Sequence, residues 1–119
     1  MSSPSFSSLD EAHHTLVERI CALCDTYNDP LQSLIQVIQR MRNAALNTPD
    51  YAVLEALVRE GEDHAANLQQ LKKTIATCSP ADRGILLETS AEVLALVMRY
   101  LNTTPETVEK TALFQSWGD

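Results

Sequence analysis

The sequence predicts an all-α protein, an antiparallel bundle of four main helices plus a short C-terminal helix. Three observations predict it. Apolar residues recur three and four apart along most of the chain. Four dipeptides, Asp29-Pro30, Thr48-Pro49, Ser79-Pro80 and Thr104-Pro105, each set a side-chain oxygen directly before a proline, as at a capped helix start. No stretch joins period-two alternation with β-branched residues and a Gly-bearing turn, so no strand is expected. The 119 residues, 45% hydrophobic and 21% charged with 3 Gly and 5 Pro, fit one domain and exclude disordered, collagen-like and disulfide-scaffold classes.

Residues 1–8 read as a disordered polar tail, and 9–119 as a single helical-bundle domain. Ser8, with Glu11 three residues on, has capping-box spacing and opens the first helix. With the four proline starts this gives helices near 9–28, 30–46, 49–78, 80–101 and 105–115. Asp50, Asp82 and Glu106 follow three of the starts, where the helix dipole favours acids.

The first helix carries a seam of Leu9, His13, Leu16, Ile20, Leu23 and Tyr27, and the second one of Leu31, Leu34, Ile38, Met41 and Ala45. In the third, the seam is Leu54, Leu57, Gly61, Ala65, Leu68, Leu71, Ile75 and Cys78. Gly61 there implies either a close helix approach or a kink. The fourth helix is apolar over more than one stripe, from Ile85 through Leu86, Leu87, Ala91, Val93, Leu94, Leu96, Val97 and Met98 to Leu101. A bundle this small has no fully central helix, so part of that surface is expected to meet either the C-terminal segment or another chain. The tail collects Leu113, Phe114 and Trp117, a docking pattern in a chain with only 5% aromatic residues. The candidate partner-binding residues are therefore Leu86, Leu87, Val93, Leu94, Val97, Met98, Leu101, Leu113, Phe114 and Trp117.

Chemistry is harder to find. Cys21-Ala-Leu-Cys24 puts two sulfurs on one helix face, but zinc needs four ligands and no second pair stands at ligand spacing. These cysteines lie late in their helix, away from the N-terminal position that activates a thiol, and read as structural. Glu60, Glu62, Asp63 and His64 spread around their helix, unlike the Glu-x-x-His units of di-iron bundles. A histidine-phosphotransfer domain is a rival small acidic bundle, yet the lysines after His64, Lys72 and Lys73, lie more than two turns away. With no phosphate loop, nucleophile elbow or dinucleotide fingerprint, the chain is expected to be no enzyme, with no catalytic residue, cofactor or metal.

The net charge of -7 disfavours phosphate backbones and anionic bilayer surfaces, so nucleic-acid binding is not expected, and the apolar run from Val93 to Met98 falls far short of the roughly 20 residues membrane insertion needs. The start of the chain lacks the basic and apolar regions of a secretory signal. Three cysteines, an odd number set in apolar helical patterns, favour reduced thiols and a cytoplasmic setting.

From Leu31 onward the chain resembles the export chaperones of the flagellar type III secretion system that serve filament-cap and hook-associated proteins. The parts carrying the resemblance are Leu31-Gln-Ser-Leu-Ile-Gln-Val-Ile38, the Leu- and Glu-rich Leu46 to Glu60, the start Ser79-Pro-Ala-Asp-Arg83, and the Leu-rich stretch from Leu86 to Leu101. It covers about seventy residues. An extra helix precedes the matching part, and Thr103-Thr-Pro-Glu106 interrupts a region the family often continues as helix. The resemblance implies a cytoplasmic chaperone or adaptor holding a helical segment of a secreted cargo or an export component. A self-associating structural or regulatory bundle, a homodimer, is the alternative.

Overall fold

The computed structural model describes residues 5–111 and is helical almost throughout. Three helices run through it: α1, Ser5–Ala44; α2, Asp50–Thr77; and α3, Arg83–Glu109, entered through a single 3₁₀ turn at Pro80–Asp82. The all-α class is as expected, but the count is not, since three helices stand where four and a short fifth were predicted. The first begins at Ser5, inside the stretch read as a tail. Together they form a rod of 72 × 21 × 17 Å.

Two of the four proline starts are not helix starts. Pro30 lies inside α1 and Pro105 inside α3. An interior proline removes one backbone hydrogen bond and costs about 3 kcal/mol. Continuity wins because the buried row keeps its phase across Pro30: Ile20 and Cys24 precede it, and Leu31, Ile35, Ile38, Met41 and Ala45 follow. Each large apolar side chain buried adds about 1.5–3 kcal/mol, so the four large ones after Pro30 together outweigh it. Thr26 and Pro30 sit on the exposed side, so water can take the carbonyl that the proline leaves without a donor. In α3, Val97, Tyr100, Thr104 and Val108 likewise hold one phase through Pro105.

The other two prolines do mark starts, though without the expected caps. Thr48 donates its hydroxyl to the Ala45 carbonyl at 2.6 Å, closing the end of α1 instead of capping α2. Asn47 takes the left-handed conformation the turn needs, with φ 69°, which asparagine tolerates better than most residues. Ser79 gives its hydroxyl to the Asp82 carboxylate at 3.1 Å, fastening the 3₁₀ turn.

The antiparallel pair α1 and α2 holds most of the core. Leu31, Ile38, Leu54, Val58 and Leu68 are fully enclosed. An ion-paired group ties the two near their connection: Glu55 accepts from Arg42 and from Arg59, each at 3.1 Å. Those bonds, the one to Arg59 foremost, hold the Glu55 carboxyl below its ordinary value. Farther along, Lys72 donates to Asp25 at 2.6 Å. At the open end of the pair, His13 donates from Nε2 to the Cys78 carbonyl at 3.1 Å, joining α1 to the end of α2.

Restoring the missing donor tests the unbroken α1. Pro30→Ala should raise unfolding free energy by about 1–3 kcal/mol in urea titration followed by circular dichroism. No gain, or a loss, would mean that two helices meet at Pro30.

Candidate interaction surface

The three helices meet at Gly61. A methyl group there would come within 2.6 Å of the Tyr100 hydroxyl oxygen and 2.7 Å of Ile35 Cγ1, so the glycine admits a close approach. The Tyr100 hydroxyl donates to the Leu57 carbonyl at 2.6 Å, and its ring packs on His64 with centroids 5.2 Å apart. Burial, with the charge of Glu60 second, pushes the phenol up to about 12. The tyrosine is thus a neutral anchor fixing how α3 is turned about its own axis.

With that rotation fixed, the apolar surface of α3 divides. One row, Leu86, Ser90, Val97, Tyr100, Thr104 and Val108, is buried against α1 and α2. Within it Ser90 donates its hydroxyl to the Leu86 carbonyl at 2.7 Å. A second row, Leu87, Leu94, Met98, Leu101 and Pro105, recurs seven, four, three and four apart, about a quarter turn away. Leu87 is 45% exposed and Met98 42%, while Leu94 and Leu101 are half-buried at the edge of the core.

The second row turns toward α1, because Leu87 lines one hollow with Ala12, Thr15, Leu16 and Arg19. On α1 the matching row is Leu16, Leu23, Tyr27 and Leu34, spaced seven, four and seven. Leu23 is 42% exposed and the others are half-buried. Leu16 and Leu87 line that hollow together, and helical periodicity carries the two rows on from it as a shallow apolar furrow between α1 and α3. Between Arg19 and Arg40 on α1, and from Leu87 to Pro105 on α3, no charged side chain shares its side, a length of about 30 Å at 1.5 Å per residue.

The predicted partner-binding residues therefore part company. Leu87 and Met98 are exposed on the second row, Leu94 and Leu101 are half-buried in it against the core, and Val93 is half-buried beside the core. Leu86 at 3% exposure and Val97 at 0% are consumed by the bundle itself and offer nothing to a partner. Leu113, Phe114 and Trp117 lie outside the described residues. The α1 side of the furrow was missed: Leu23 was read into the core seam, whereas Cys24 occupies it. The signal was present, since Ile20, Cys24 and Leu31 already form one row and leave Leu16, Leu23 and Leu34 to form another.

The other candidates stay structural in their surroundings. Cys24 is buried, and that burial first, with Cys21 and Asp25 adding to it, pushes its thiol up, away from the reactive thiolate. Lys72, the nearer lysine after His64, is engaged with Asp25. Among the described residues, no group of three His, Cys, Asp or Glu could hold a metal ion, and no helix is long and apolar enough to cross a membrane. Compared with protein families, curated proteins and solved structures, the chain matches none of them.

The Gly61 contact sets the furrow and is open to test. Gly61→Ala gains helix propensity of up to about 1 kcal/mol, but the overpacking, about 1–3 kcal/mol, should leave the variant less stable. Adding Tyr100→Phe removes the nearer clashing atom, so the double variant should lose less than the sum of the singles in denaturant unfolding. A stabilised Gly61→Ala protein would place the helices farther apart than described.

Proposed function

We propose that this chain is a protein-binding helical adaptor that receives an amphipathic helix of its partner in the furrow between α1 and α3. The observation that carries the reading is the furrow: two half-exposed apolar rows at helical spacing, uncharged for about 30 Å, in a chain whose net charge is -7. Two helices with their apolar rows side by side are short of the third helix that would complete a bundle around them, and helix-in-groove binding supplies it. Burying the partner's apolar face gains roughly 25 cal/mol per Å², less the cost of ordering it. The acidic remainder of the surface keeps the free adaptor soluble.

The sequence resemblance to flagellar and type III export chaperones supports a definite class of cargo, a helical segment of a secreted protein or an export component held in the cytoplasm. On this reading the chain carries out no catalysis and needs no cofactor. A second copy of the chain is the alternative occupant, because the same half-exposed rows would bury one another in a homodimer.

Site-specific photo-cross-linking in the source cells separates these readings. A cross-linker in place of Leu87 or Met98 should yield an adduct to another protein, mapped by mass spectrometry to an amphipathic helical segment. The outward-facing Glu92 position should not. Adding Leu94→Glu, on a protein still helical by circular dichroism, should reduce the adduct at least tenfold. An adduct of twice 13.2 kDa would favour self-association. Equal labelling from Glu92, or none from the furrow, would contradict the surface.

A further inference from the structure

The furrow is uncharged along its length but not at the end where α3 begins. There the hollow is lined by Glu11, Ala12, Thr15, Leu16, Arg19, Arg83 and Leu87. Arg19 and Arg83 are exposed, and neither makes an ion pair among the described residues, whereas Arg42, Arg59 and Lys72 are each committed to a carboxylate. Glu11, the one acid in the lining, leaves the hollow with one excess positive charge. At the far end, past Val37 and Pro105, Arg40 and Lys110 are balanced by Glu106 and Glu109. The lining of the hollow is therefore locally positive on a molecule that is acidic as a whole, with Glu18 and Asp82 next to the two arginines in sequence but outside the lining.

We infer that the partner helix carries carboxylates at its C-terminal end, and that Arg19 and Arg83 receive them and fix the direction in which the helix lies. The inference rests on the furrow being a helix-binding site and adds its polarity. Two independent contributions favour the same orientation. Guanidinium groups pair with carboxylates through paired N–H donors. A helix also presents its unpaired carbonyls and the negative end of its dipole at the C-terminus, so side-chain acids and backbone act together there. A helix laid the other way would bring its positive end to two arginines. The apolar rows hold the helix but cannot tell its two directions apart, and the arginine pair supplies that distinction.

A panel of three synthetic helices tests this with the full chain. All share a 20-residue Leu/Ala stripe and differ only in two residues at the C-terminal end: Glu-Glu, Gln-Gln or Lys-Lys. By fluorescence anisotropy at low salt, the Glu-Glu peptide should bind roughly tenfold tighter than the Lys-Lys peptide. That preference should collapse in the Arg19→Gln/Arg83→Gln protein and shrink as ionic strength rises. Both arginines are exposed, so that variant should fold normally. If all three peptides bind alike and binding still disappears with Leu94→Glu, the furrow stands and the inferred polarity is overturned. Failure of every peptide to bind the folded protein overturns the furrow reading itself.

Discussion

The absence of a side chain at Gly61 is the constraint on which the rest depends. Ile35 from α1 and Tyr100 from α3 both occupy the space its Cβ would fill, so the three helices are registered at one point. The Tyr100 hydroxyl, held by the Leu57 carbonyl, then fixes the rotation of α3. A helix apolar over more than one stripe can bury only part of that surface against two neighbours, and Ile85 and Leu96, 69% and 51% exposed, remain open on its other flank beside α2. Which row is buried is decided at the tyrosine. Leu86 and Val97 go inward with it, and Leu87 and Met98 are left at the edge.

The same division occurs in α1. Its Ile20–Cys24–Leu31–Ile35–Ile38 row faces α2 and is closed. Its Leu16–Leu23–Tyr27–Leu34 row, which meets α3 where Leu16 and Leu87 line one hollow, stays partly open. The furrow is the sum of two surpluses, and neither helix alone would present a surface of that width. The interior of the α1–α2 pair, by contrast, leaves nothing over. Fixed partners, Arg42 with Glu55 and Lys72 with Asp25, also tie that pair together. Packed pair, anchored third helix and open edge belong to one arrangement in which an apolar edge is held in place without being consumed.

Much of this was legible in the residues. The three- and four-residue spacing gave the helical class, the α2 seam is followed almost residue for residue, and the surplus on α3 was evident from Ile85 to Leu101. The helix count was lost by giving proline more weight than phase. Cys24 to Leu31 and Tyr100 to Thr104 to Val108 continue their rows without a step, and packing of both halves on the same neighbours overrides the local cost of Pro30 and Pro105. Thr48 was read as a cap for the helix that follows, and its hydroxyl instead serves the one before. Leu23 and Cys24 exchanged roles because a single-seam reading of α1 assigns every apolar residue to one face. The Gly61 alternatives could be separated only by the partners that surround it, Ile35 and Tyr100, which are distant in sequence.

The central claim is that the second rows of α1 and α3 face solvent in the free chain. Methyl relaxation by a soluble gadolinium chelate measures that directly in the full-length protein. The account predicts strong broadening of the Leu23, Leu87 and Met98 methyl signals, with those of Leu54, Leu86 and Val97 left sharp. Methyls of Leu87 and Met98 as protected as those of Val97 would show the furrow already filled by the chain itself, and would contradict the account.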